Sequence, residues 1–270
     1  MQQGNIQSNT PQSPPGFLPA LSSRLPNLTA LTLYAVTLGG PSPQGTQKED
    51  ALHLLSTPTL RELHAIDVYT SPRFWAELCP PGLKVVELAY KSRGGEDEGL
   101  FEFIDVDGIV DFVGKLRDVV GLTVCWSPDE SEGGGRIDVV RGEQARSFVG
   151  AVKGLGTQLA VFDATMFALR LEDVKTVLTA NPKLRVLAVS VILDGGWEKV
   201  LAGLSETESG VEDLEVVGVE LDSKVSGAIE RVVMIRFDEK WKELRSVKVS
   251  ILRNGSEHWV KENGTWRKAT

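Results

Sequence analysis

Cysteine is nearly absent from this chain: Cys79 and Cys125 are the only two in 270 residues. Two thiols cannot form the disulfide framework that staples small secreted folds, so a reducing, intracellular setting, cytoplasmic or nuclear, is expected. Long apolar runs are missing as well. No stretch approaches the roughly 20 residues of a membrane-spanning helix, and no membrane partner is expected. Basic runs are missing too: 29 Lys and Arg stand against 37 Asp and Glu, a net charge of −8. Nucleic acid and anionic lipid surfaces both demand concentrated cations and are disfavoured as partners. The opening MQQGNIQSNTPQSPPG has neither the charged n-region nor the apolar h-region of a signal peptide. Rich in Gln, Asn, Ser and Pro, residues 1–16 read as a disordered tail.

Catalytic signatures are equally sparse. The three histidines, His53, His64 and His258, form no His-x-x-x-His or Glu-x-x-His cluster that would hold zinc. There is no Gly-x-Ser-x-Gly elbow and no phosphate loop ending in Gly-Lys-Ser/Thr. Asp105-x-Asp107, continued by Asp111, reads as the solvated face of an amphipathic helix. Gly133, Gly134, Gly135 and Arg136 read as a flexible connector, and Cys125 as a packed thiol on a strand. No metal, no cofactor and no catalytic residue is expected.

What the chain does have is one pattern, met eight times: apolar residues at the first, fourth and sixth positions of a short segment. The segments are LTALTL from Leu28, LRELHA from Leu60, LKVVEL from Leu83, VVGLTV from Val119, LAVFDA from Leu159, LRVLAV from Leu184, VEDLEV from Val211 and LRSVKV from Leu244. Alternation such as Leu187, Val189 argues a short strand with one buried face. The stretches between carry helical spacing. Leu171, Val174 and Leu178 mark a helix ended by Asn181-Pro182. Further helices are expected over 103–116, 142–154, 196–204 and, longest of all, 222–243.

Strand then helix, repeated, gives parallel strands with helices on one side. No such unit buries its own apolar face, whereas stacked neighbours make one continuous core. The intervals of 32, 23, 36, 40, 25, 27 and 33 residues require insertions, for which 39–45, 92–99 and 127–135 are loop candidates. The units at Val119 and Leu159, with the longest spacing and with Gly121 and Ala164 in the pattern, are expected to be the weakest. Asn263-Gly264 lies between HWVKE and TWRKA and predicts a two-residue hairpin turn, with Trp259 and Trp266 covering the last sheet edge. Asn27, Asn254 and Asn263 each open a glycosylation-type triplet and are read as turn chemistry instead.

The organisation expected is thus a tail over 1–16, an array over 17–252 and a hairpin cap over 253–270. Residues between the buried ones should line the open face. The middle row is Thr32, His64, Glu87, Thr123, Asp163, Ala188, Glu215 and Lys248; a neighbouring row is Tyr34, Ile66, Ala89, Cys125, Thr165, Ser190, Val217 and Ser250. Partner-binding positions expected on this basis are Tyr34, His64, Glu87, Asp163, Glu215 and Lys248. The acids outnumber the single lysine there, which favours a basic partner segment.

These units, TPTLRELHAIDV and NPKLRVLAVSVI above all, resemble leucine-rich-repeat proteins of the ribonuclease-inhibitor type, and among them the large fungal group of F-box/leucine-rich-repeat-like proteins. The resemblance covers about residues 17–252. It implies an α/β leucine-rich-repeat solenoid, a curved parallel sheet with helices on the convex side. It also implies that the repeats hold a substrate protein while an F-box recruits a ubiquitin-ligase core. Upstream of the first segment only FLPALSSRLP at 17–26 reads as helical, the end of one helix rather than an F-box. The ninth position, Asn or Cys in regular repeats, is here Val36, Val68, Lys91, Ser127, Phe167, Ile192, Val219 and Leu252, so the units should be less uniform. The function expected is a protein-interaction scaffold. An enzyme with a loop-built site, or a truncated gene product without a retained role, are the alternatives.

Overall fold

A computed structural model describes residues 17–38, 46–91, 104–127, 139–194, 196–220, 237, 240–251 and 255–269. The expected tail at 1–16, the loops at 39–45, 92–99 and 128–135, and most of the helix expected over 222–243 lie outside them.

All eight segments become adjacent strands of one sheet. In order these are β1 (Ala30–Tyr34), β3 (Glu62–Ile66), β5 (Val85–Lys91), β6 (Gly121–Ser127), β7 (Val161–Leu169), β8 (Val186–Leu193), β9 (Asp213–Glu220) and β10 (Ser246–Ile251), every neighbouring pair parallel. Two antiparallel strands, β11 (Gly255–Glu262) and β12 (Thr265–Lys268), extend the sheet to ten. A separate two-stranded ribbon joins β2 (Thr37–Leu38) to β4 (Tyr69–Thr70).

Register aligns the apolar pattern across the sheet. Leu31, Leu63, Val86, Leu122, Phe162, Leu187, Leu214 and Val247 lie opposite one another in turn. From Leu60 onward the first, fourth and sixth positions of every segment are buried. The same junction recurs from strand to strand. One carbonyl just before each strand accepts two successive N–H groups of the next segment: Thr29 from Arg61 and Glu62, Arg61 from Lys84 and Val85, Lys84 from Val120 and Gly121, and so on to Glu212 with Arg245 and Ser246, all between 2.7 and 3.2 Å.

The connections are helical: α1 (Phe17–Arg24), α2 (Thr46–Leu55), the single turn α3 (Phe74–Glu77), α4 (Val106–Lys115), α5 (Gly142–Lys153), α6 (Leu171–Ala180) and α7 (Gly196–Ser205). Each helix touches the next in sequence, from α1 to α7, so they form one row along the buried face of the sheet. A doubly wound fold would instead carry helices on both faces of the sheet. Local chemistry sets the helix ends. Asp105 caps α4 by accepting from the Gly108 N–H at 3.1 Å, and a Cβ at position 108 would collide with that carboxylate. In α6 the Asp173 carboxylate accepts from the Arg170 N–H at 3.0 Å, and buried Asn181 donates to the Val177 carbonyl at 2.8 Å before Pro182 stops the helix. The helices expected over 142–154 and 196–204 agree within a residue, the one expected to carry Leu171, Val174 and Leu178 and to end at Asn181-Pro182 is α6, and that over 103–116 is shorter.

The hairpin departs from expectation in one respect. Trp259 stands opposite Val247 and so continues the buried row, while Trp266 faces Lys261. The two tryptophans are buried, and the hairpin lengthens the sheet rather than folding over its edge. Its turn residues Asn263 (φ 49°) and Gly264 (φ 75°) are both left-handed, as a type I′ turn requires. A Cβ at position 264 meets no atom within 4 Å, so only backbone strain opposes it. Gly264→Ala is expected to cost about 1 kcal/mol, readable as a lower urea midpoint with an unchanged m-value.

Candidate binding face

The face turned away from the helices is built by one strand position per unit. Four residues after the start of each segment come Thr32, His64, Glu87, Thr123, Asp163, Ala188, Glu215 and Lys248, and the ladder places each directly opposite the next. His258 on β11 extends the row. The structure thus brings His64, Glu87, Asp163, Glu215 and Lys248 into a single line across the sheet; Tyr34, 57% exposed, sits two residues further along on the outermost strand β1.

Part of this charge is paired within the row. His64 Nδ1 lies 2.6 Å from Glu87 Oε2, with Glu62 4.0 Å from the other ring nitrogen. Lys248 Nζ donates to Glu215 Oε1 at 2.8 Å. Asp163 is different. Its carboxylate accepts from the backbone N–H and hydroxyl of Thr165, at 3.0 and 2.8 Å, and has no ion-pair partner among the described residues. Its carboxyl is raised to about 6: burial raises it most, the Thr165 hydrogen bonds offset part of that, and the Glu215 and Glu87 charges add to it. The basic partner expected from the sequence would therefore meet two acids already paired within the row, Glu87 and Glu215, and one, Asp163, that is not.

The flanking row was not singled out from the sequence. It runs Glu62, Val85, Gly121, Val161, Val186, Asp213 and Ser246, also in register. Acids stand towards either end and an apolar stretch lies in the middle, where Val161 is an exposed large hydrophobic residue. Gly121 leaves the space between Val85 and Val161 unfilled, since a Cβ there would sit 3.6–3.9 Å from both. Constant spacing from each segment start would have revealed this row as it did the other.

The neighbouring row expected through Thr165 needs correction. β6 and β7 pair only from Gly121 to Thr123, against Val161 to Asp163. Beyond Ala164 the strand bulges, and Ala168, not Thr165, faces Ser190. Val140 replaces β6 as the neighbour of β7 there, bridging to Phe167 through Val140 N–H to Met166 C=O (2.9 Å) and Ala168 N–H to Val140 C=O (2.8 Å). Ser190 still reaches the Thr165 carbonyl with its hydroxyl at 2.6 Å. The units expected to be weakest are thus where the ladder opens, and Asp163 lies at the opening.

Cys125 lines the same opening. Burial, then the Asp163 and Glu87 charges, push its thiol up to about 12, so it stays protonated at neutral pH and is no thiolate nucleophile. Among the described residues no three His, Cys, Asp or Glu side chains converge as a metal site requires, and no helix is long and apolar enough to cross a membrane. No family model matches the chain, and no curated protein matches it.

Proposed function

We propose that the chain is an irregular leucine-rich-repeat array of the ribonuclease-inhibitor type and that its open strand face binds a segment of another protein. The observation that carries this is a row of residues, one from each successive strand, held in register from Thr32 to Lys248, with polar side chains at least partly exposed in every strand except β8, where buried Ala188 stands. The junction that recurs before each strand supports the repeat reading. A helix needs about 10 Å of width and a strand about 4.8 Å. An array with nearly one helix per strand therefore bends with its strands inside, which makes the open face concave.

The segment that fits is extended and basic, with apolar side chains at its centre. Glu62, Glu87, Asp163, Asp213 and Glu215 offer carboxylates, and Val85, Val161 and Val186 offer an apolar strip between them. Each exposed charge contributes on the order of 0–1 kcal/mol, so affinity should be collective and salt-sensitive. A role as the substrate reader of a ubiquitin-ligase adaptor extends this proposal on resemblance alone.

The test is a partner captured with the full chain and titrated against wild type and the triple variant Glu87→Lys, Asp163→Lys, Glu215→Lys. A loss of at least about tenfold at low salt is expected. Unchanged affinity for a variant that retains its circular dichroism would move the site to the loops or the hairpin.

A further inference from the structure

The two edges of the ten-stranded sheet are unlike. At one, β12 carries Arg267 and Lys268, exposed charges of the kind that discourage further pairing. At the other, β1 reads ALTLY and has no charge, proline or bulge. No charged residue occurs anywhere from Asn27 to Leu38. Leu31 and Leu33 occupy positions that are buried in the seven parallel strands that follow, yet here they are only partly covered. Among the described residues β1 has a single strand neighbour, β3.

Backbone direction shows what that edge offers. The Thr29 carbonyl accepts from the Arg61 and Glu62 N–H groups, and the Ala35 N–H donates to the Ile66 carbonyl at 3.0 Å. Alternate residues of a strand turn their N–H and C=O to the same side. Odd-numbered residues 29–35 therefore face β3, and Ala30 and Thr32 direct theirs to the outer edge.

We propose that β1 pairs antiparallel with β1 of a second copy of this chain, about a two-fold axis at Thr32. The segment is self-complementary about that residue: Leu31 meets Leu33 of the second copy, and Leu33 meets its Leu31. Thr32 and its counterpart exchange both N–H···O bonds. The leucines then fall at the closely spaced positions, with Cα atoms about 4.5 Å apart. An axis perpendicular to the sheet joins core face to core face, so Leu31 and Leu33 gain the cover that the later strands already have. Two chains that each carry −8 repel each other least across a neutral surface, and this edge is one. The pairing is isologous and closes at two copies. It also sets the two open faces side by side, independently of what those faces bind.

Light scattering of the full chain at micromolar concentration should give twice the 29.4 kDa chain mass. Thr32→Lys sets two ammonium groups on the axis while its own side chain stays on the exposed face. It is expected to raise the dimer dissociation constant by at least about tenfold. Thr32→Pro removes the outward N–H without taking a bond from β3, and should do the same with unchanged circular dichroism. Arg267→Thr, at the opposite edge, should leave the mass unchanged. A single-chain mass for wild type, whether because another protein or another part of this chain covers the edge, overturns the proposal. So does a dimer that stays as tight in both Thr32 variants.

Discussion

Replacing Phe148 by alanine is expected to lower the unfolding free energy by about 3–5 kcal/mol. Phe148 lies on α5 with no exposed surface. Its ring stacks on Phe167 at 4.0 Å between centroids and on Phe162 at 6.2 Å. Phe162 belongs to the apolar row, whereas Phe167 lies beyond the bulge of β7. One helical ring thus ties together the two halves of a strand whose ladder is interrupted. Its removal would open a cavity against the interrupted part of β7, and the cost within that range depends on how far the strand relaxes into it. Phe148→Leu keeps most of the volume and should cost appreciably less. Urea unfolding of the three proteins gives the measurement, and an alanine variant within about 1 kcal/mol of wild type would show that the stack is not structural.

The sheet was legible in the sequence because one requirement repeats in it. A strand covered on one side must place apolar residues at its fourth and sixth positions, and the turn before it must bury the first. Leu60, Leu63 and Ala65 meet that requirement, as do Leu184, Leu187 and Val189. Once the eight starts are aligned, a constant offset yields the whole row from Thr32 to Lys248 without any structure. The helices over 142–153, 171–180 and 196–205 were legible for a similar reason, since each is long enough to show a period and ends on a glycine, on Asn-Pro or beside a polar run.

Short and irregular features left no such trace. The turn α3 has four residues, too few for periodicity, and β2 and β4 have two each. The bulge in β7 is hidden because MFAL continues an apolar run in which the alternation cannot be read. The pairing of His64 with Glu87 and of Lys248 with Glu215 follows from register, which is a property of two strands and not of either one. A clue to Asp163 did exist: Asp-x-Thr is a local turn pattern, in which the carboxylate bonds the backbone two residues on.

Asp163→Asn is expected to stabilise the protein at neutral pH by about 1–2 kcal/mol and to leave it unchanged near pH 4. The native carboxyl titrates at about 6 against an ordinary 3.8, so the folded state holds this proton more tightly than the unfolded state. Stability from this group is therefore fully present below the ordinary value and is lost as pH rises through about 6. Two pKa units correspond to nearly 3 kcal/mol, and partial exposure of the side chain reduces that figure. Asparagine has the same shape, accepts from Thr165 with its carbonyl oxygen and has no charge to desolvate. The difference between variant and wild type should grow from near zero at pH 4 to a plateau by pH 7, and a flat difference would refute the assignment. Among acids of the open row, Asp163 alone has neither a His nor a Lys partner within the described chain. A cationic group set against it would relieve the cost that asparagine removes. On the proposed function, affinity for a basic segment should therefore rise with pH across the same interval, and the asparagine variant, more stable but uncharged, should bind more weakly and lose that dependence.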